Sequence, residues 1–259
     1  MTSAEASGLT LDDLRRETER FGVAEEQVRR DHLISHVLAA VARSCADDVV
    51  FFGGTALSRT HLVHARLSED VDLLATTART DVVQRLVRSV ERSVMRTHGR
   101  PTWVPPFTDR DVEPAGLVAG GLRLRVQVLR GDHYPRWPVE RVEVEQRYVD
   151  APTARLTVPT LASFVGWKTA AWVDRGAARD LYDLWALAEI GAMGPEAAEL
   201  FVRHGPTGGP PRPFMFGAAP SEQTWVASVG GQTTLTVTAD EALAAVRHAW
   251  GRALGPRWA

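Results

Sequence analysis

Two groups of residues, far apart in the chain, have the types and spacing that chemistry needs. The first runs through Phe52-Gly53-Gly54-Thr55 and then Arg66, Ser68, Asp70 and Asp72. Two glycines after a short apolar run leave backbone N–H groups open to close approach by a phosphate, and the Thr55 hydroxyl would donate to the same anion. Asp70 and Asp72 alternate with Val71 and Leu73, so in an extended strand both carboxylates leave one face. Side by side they would repel one another unless a hard cation lay between them; Mg²⁺ takes a few carboxylate oxygens together with phosphate and water. Arg66 is either a further phosphate contact or a surface ion pair. Each motif also has a plainer reading, since Gly-Gly commonly makes a turn and Asp-x-Asp a solvated face.

The second group is Lys168 with Asp174, Arg179, Asp180 and Asp183. Of the 30 Lys and Arg residues Lys168 is the one lysine. A compact ammonium is a point charge where a guanidinium fork does not fit. Lys168 lies in an apolar helical stretch, where an unpaired charge is costly, so it meets a carboxylate or a ligand phosphate. Asp180 and Asp183 are three apart and neighbours on a helix surface.

These residues need elements to position them. Periodicity predicts helices over 12–20 and 23–43, a buried strand over 49–52, and a helix from Thr55 to about His64, with Thr55 as its N-cap or in its first turn. A strand follows over 68–74. A helix over 81–97 carries Val83, Val87, Val90 and Val94 on one side and Arg85, Arg88, Arg92 and Arg96 on another. After a proline-rich loop, strands are expected over 122–129 and 139–149, where the sheet is expected to end. The remainder reads as helical: 161–173, 177–190 and 240–254, with 205–220 as a loop. The fold class expected is α+β, with 1–150 holding the strands and 151–259 mainly helical.

The composition is that of an ordinary globular protein, with 44% hydrophobic and 24% charged residues in 259. No apolar run is long enough to cross a bilayer and the first ten or so residues lack a signal-peptide pattern, so a cytoplasmic location with no membrane partner is expected. The one cysteine, Cys45, excludes an internal disulfide and a Cys-based zinc site and is expected to be buried. A net charge of -2 argues against indiscriminate coating of nucleic acid, though not against a local patch.

Taken in order, the segments 52–57, 66–73, 158–161, Lys168, Arg175 and 179–184 resemble the AbiEii/MenT-type nucleotidyltransferase toxins of bacterial toxin–antitoxin systems, over roughly residues 49–188. The resemblance implies a DNA polymerase β-like core, a small mixed sheet with flanking helices, followed by a helical C-terminal half. It implies NTP as substrate, Mg²⁺ held by Asp70 and Asp72, and nucleotide binding by Gly53, Gly54, Thr55, Arg66, Ser68 and Lys168. Asp70, Asp72, Lys168 and Asp183 would be catalytic. The acceptor implied is the 3′ end of tRNA, so that aminoacylation and translation stop, and the partner implied is a cognate antitoxin.

The sequence departs from the wider pattern in one place. Polymerase β-like enzymes often carry a third carboxylate on a later strand, where this chain has Gln127; Glu143 and Glu145 alternate on the next strand. Asp183 is then the candidate general base. Arg85, Arg88, Arg92 and Arg96, with Arg123 and Arg125, are the candidate RNA contacts, the alternative being a solvated helix face. Two rival readings remain: transfer to a small molecule or protein, and a degenerate chain that binds nucleotide or a partner without turnover.

Overall fold

A computed structural model describes residues 8–258. Residues 1–7, within the N-terminal stretch weighed above for signal-peptide character, lie outside them. The chain divides into two compact units, Met1–Tyr134 with Glu140–Val158 and Pro135–Val139 with Pro159–Ala259.

In the first unit, α1 (Leu11–Phe21) and α2 (Glu25–Cys45) lead into β1 (Val49–Phe52), α3 (Gly53–Ser58), β2 (Asp70–Ala75) and α4 (Arg79–His98). β3 (Thr102–Trp103), β4 (Ala115–Ala119), β5 (Leu122–Arg130), β6 (Val139–Val144) and β7 (Ala154–Pro159) complete one mixed sheet of order β3-β4-β5-β2-β1-β7-β6. Thr10 caps α1 by accepting the Asp13 N–H, and Gly22, at φ 64°, ends it. α2 buries Val28, Leu33, Ile34, Val37, Leu38 and Val41, the positions its helical period selects, together with Cys45.

Four expectations are corrected. The helix after the glycines is short, starting at Gly53 and stopping at Ser58, because the main chain of Arg59 turns away to accept the Glu145 N–H at 2.7 Å. The buried side of α4 is Val82, Leu86, Ser89, Val90 and Val94, leaving Val83 and Val87 half-buried. Small residues set that rotation: the Ser89 hydroxyl donates to the Ala40 carbonyl at 3.0 Å and that of Ser93 to the His36 carbonyl at 3.2 Å. The proline-rich loop contains β3 and supplies β4, stitched together where Val104 N–H donates to Gly116 O at 2.7 Å and Gly116 N–H to Pro105 O at 2.9 Å. A side chain at Gly116 would strike the Val104 carbonyl, so only glycine permits the approach. Finally, β6 ends at Val144 and the sheet continues with β7, inserted between β6 and β1. Ala154, Leu156 and Val158 of β7 are fully buried, a period-2 signal shortened by flanking prolines.

β6 stops where it does because the chain beyond it dives inward to a buried charge. Asp31 of α2 is 1% exposed and takes Arg59 Nη2 at 2.9 Å, Arg147 Nη1 at 3.0 Å and the Tyr148 hydroxyl at 2.9 Å. Arg59 also donates to the Glu145 carbonyl at 2.8 Å, and Arg147 to the Ser58 carbonyl at 2.6 Å. Both ends of α3 are thereby fixed, one by β1 and the other by these guanidiniums.

The second unit holds α5 (Leu161–Arg175), α6 (Ala178–Glu189), α7 (Pro195–His204), α8 (Glu222–Val229) and α9 (Ala239–Leu254). Thr160 caps α5 and Gly176, left-handed at φ 59°, separates it from α6. A Thr238/Glu241 capping box opens α9. The 205–220 segment is packed: a short turn, Pro213–Phe216, buries Phe216 fully and offers the Met215 carbonyl to Trp172 Nε1 at 2.9 Å. No helix among the described residues is long and apolar enough to cross a membrane.

Burial alone pushes the Asp31 carboxyl up, but Arg59, Arg147 and the Tyr148 hydroxyl outweigh it and hold the group below the usual carboxylate range. A carboxylate depressed in the folded state protonates first in the unfolded chain, so its contribution is present above the ordinary pKa of about 3.9 and lost as pH falls through the folded value. Asp31→Asn strands two buried guanidiniums and is expected to cost about 3–5 kcal/mol of unfolding free energy in denaturant titrations. The variant should also lose stability less steeply than the wild type below about pH 4; an unchanged stability and acid slope would remove Asp31 from this role.

Candidate active site

The hairpin of β1 and β2 builds the candidate site of the first unit. Antiparallel register sets Phe52 opposite Asp72, so the Gly53-Gly54 turn begins beside the second of the two acids. Asp70 and Asp72 are half-buried while Val71 between them is fully buried, as expected for two carboxylates on one strand face. Gly53 has φ +80°, a conformation that glycine adopts readily, and a Cβ there would fall on Asp72 Oδ2. A Cβ at Gly54 would lie 2.8 Å from Arg66 Nη2 and 3.3 Å from Ser68 Oγ. Thus Gly53, Gly54, Arg66, Ser68 and Asp72 are gathered by close backbone approach. The Thr55 hydroxyl, expected to face an anion, donates instead to the Asp70 carbonyl and locks α3 to β2; Thr55 lies inside α3, whose N-cap is Phe52. Arg66 and Ser68 are buried, and Arg66 Nη1 donates to the Leu67 carbonyl at 3.0 Å.

β5 runs parallel to β2 with Asp70 opposite Arg125 and Asp72 opposite Gln127. Gln127 therefore occupies the register position beside Asp72, with its Nε2 donating to the Val112 carbonyl at 2.8 Å. Glu143 is exposed on β6 at the far edge of the sheet; Glu145, just beyond that strand, is paired with Arg20 and Arg147. Neither borders Asp72. Arg125 Nε lies 3.9 Å from Asp70 Oδ1, a pairing that the strand register alone brings out.

In the second unit, Lys168 of α5 is buried and its Nζ lies 2.6 Å from Asp183 Oδ2 and 3.1 Å from Asp180 Oδ1. Asp180, whose part was visible only as its three-residue spacing from Asp183, also binds Arg175 at 2.6 Å. Burial raises the Asp180 carboxyl, but Lys168 and Arg175 reverse the effect and leave it below its ordinary value. The two carboxylates hold the Nζ of the one lysine in a fixed direction.

Arg85, Arg88, Arg92 and Arg96 follow one another along α4, but not as equals. Arg85 is tied to Asp48 at 2.8 Å and to the Ser44 carbonyl at 3.2 Å. Arg88, Arg92 and Arg96 are exposed with no carboxylate partner among the described residues, and a surface groove shared with Arg43 of α2 runs past Arg88 and Arg92. Arg123 donates to the Val104 carbonyl at 2.7 Å.

A family model for the AbiEii nucleotidyl transferase toxin of type IV toxin–antitoxin systems matches residues 36–250. Among solved structures, the nucleotidyltransferase toxin MenT4 from Mycobacterium tuberculosis is similar at TM-score 0.70 and 23% identity, over 96% of this chain and 90% of that one. A protein from H. pylori assigned as a nucleotidyltransferase is similar at TM-score 0.52 and 14% identity, over 89% and 94% of the two chains. No curated protein sequence matches. These likenesses show a shared fold, and with the family match over most of its length the chain belongs to the AbiEii nucleotidyltransferase toxin family.

Proposed function

We propose that this chain transfers a nucleotide from an NTP to the 3′-hydroxyl of tRNA, with release of pyrophosphate, and so blocks aminoacylation until a cognate antitoxin restrains it. The observation that carries the reading is the seating of the Gly53-Gly54 turn against Asp72, Arg66 and Ser68, beside the Asp70–Asp72 strand. In the reaction the attacking oxygen forms a bond to the α-phosphorus as the bond to pyrophosphate breaks, and the hydroxyl proton is released. The two-domain reading enters here, with a nucleotidyltransferase core and its N-terminal helices in 1–150 and a mainly helical 151–259.

Asp70 and Asp72 offer only oxygen donors, which suit a hard cation, and they would hold Mg²⁺. When bound, that ion supplies neutralisation of charge on the phosphate oxygens. Gly53 and Gly54 let the phosphates approach the main chain, and Arg66 and Ser68 orient them. Lys168 neutralises charge on the departing phosphates, and Asp183 and Asp180 fix its ammonium. Asp183, engaged by Lys168 at 2.6 Å, is better suited to this positioning than to taking the hydroxyl proton. Arg88, Arg92 and Arg96 contact the RNA backbone. Gln127 opposite Asp72 favours one rival, a chain that binds NTP without turnover, and the release of pyrophosphate separates the two.

Asp70→Ala and Lys168→Ala are each expected to lower label transfer from radiolabelled NTP to purified tRNA by about 100-fold or more and to relieve growth inhibition. Lys168→Arg keeps the charge and should still lose most activity, because the guanidinium does not reproduce a point charge between two carboxylates. Full activity of Asp70→Ala and Lys168→Ala would sink the assignment; NTP binding without pyrophosphate release would favour the rival, and transfer indifferent to tRNA would point to another acceptor. Replacing Arg88, Arg92 and Arg96 with alanine should weaken tRNA binding and reduce its salt slope by about one per arginine that contacts a phosphate, with NTP binding intact. An unchanged slope would take them out of the RNA site.

A further inference from the structure

Away from the glycine turn and its acids, α2 carries two histidines one turn apart, His32 and His36, both buried and both aimed at Asp150 in the segment between β6 and β7. His32 Nε2 and His36 Nε2 are 3.3 Å apart, and they lie 3.2 Å and 3.0 Å from the same atom, Asp150 Oδ2. A tetrahedral first-row ion with donors at about 2.0–2.1 Å holds them about 3.3 Å apart, which is the size of this triangle. All three ligand atoms fall within 4.8 Å of one another.

We propose that His32, His36 and Asp150 form a site for a divalent transition ion of the Zn²⁺ class, independent of any ion at Asp70 and Asp72. Two imidazole nitrogens and one carboxylate make a nitrogen-rich set that suits Zn²⁺ and does not suit Mg²⁺. The ring behind the site supplies the orienting contact such ligands use: His32 Nδ1 lies 3.1 Å from His98 Nε2, and His98 Nδ1 lies 2.8 Å from the Thr97 hydroxyl. With Nε2 of His32 on the ion, its Nδ1–H donates to His98. The ion would have an entry path, since His36 and Asp150 line a cavity of about 670 Å³ that also reaches Arg43, Arg92 and Arg96. Water from that cavity completes the tetrahedron.

The site would tie α2 to the segment that precedes β7. The test uses the untagged full chain, stripped with chelator and then titrated separately with Zn²⁺, Co²⁺ and Mg²⁺. One tightly held equivalent of Zn²⁺ per chain is expected, with a rise in the thermal midpoint, and Co²⁺ should develop the intense visible absorption of tetrahedral coordination, which excess Mg²⁺ should not displace. Asp150→Asn, at a carboxylate that is 26% exposed and so tolerant of change, should lose the cobalt spectrum and the Zn²⁺-induced shift while keeping the wild-type circular dichroism. His36→Gln should do the same, and His61→Gln, outside the cluster, should bind as the wild type does. Zn²⁺ retained no better by the wild type than by Asp150→Asn, or a cobalt spectrum that stays octahedral, would overturn the proposal.

Discussion

Burying a carboxylate costs several kcal/mol unless opposite charge and hydrogen bonds make good the lost hydration, and Asp31 is compensated by two guanidiniums and a phenol drawn from two places in the chain. Arg59 comes from the end of α3, and Arg147 and Tyr148 come from the segment after β6. Because each side chain also caps a main-chain carbonyl, at Glu145, Ser58 and Val28 respectively, the cluster fixes backbone as well as charge. The glycine turn is the first beneficiary. A six-residue helix has little stability of its own, and α3 keeps its place because β1 holds its start, the Thr55 hydroxyl its middle and Arg59 its end.

Lys168 is treated in the opposite way by its surroundings. Asp31 has more positive than negative charge around it, whereas Lys168 has two carboxylates for one ammonium, and Arg175 balances the second. An ammonium held this way is aimed by two carboxylates, Asp183 at 2.6 Å and Asp180 at 3.1 Å. In a chain with 30 Lys and Arg residues, the single lysine is seated between two acids of the next helix. That seating is what makes an arginine substitution there a change of geometry rather than of charge.

Much of this was legible in the residues. The Gly53-Gly54 turn, the strand carrying Asp70 and Asp72, and the helices around Lys168 and Asp183 follow from local period and capping chemistry, because each is specified by neighbours in sequence. What was hidden depends on partners far away. The end of the helix after the glycines is set by Glu145, and the rotation of α4 by Ser89 and Ser93 against α2. β7 is too short between prolines to announce itself, and β3 and β4 form only because Gly116 admits the Val104 carbonyl. The His32–His36 spacing was in plain view, but nothing local marks Asp150 as its third member.

The proposed reaction is the addition of nucleotides to the 3′ end of tRNA. The most direct measurement incubates the purified protein with total tRNA and each NTP in turn, with and without Mg²⁺, and sequences the 3′ ends. Added, untemplated nucleotides are expected on a subset of tRNAs with at least one NTP, only when Mg²⁺ is present. Unaltered 3′ ends with every NTP, in the presence of Mg²⁺, would contradict it.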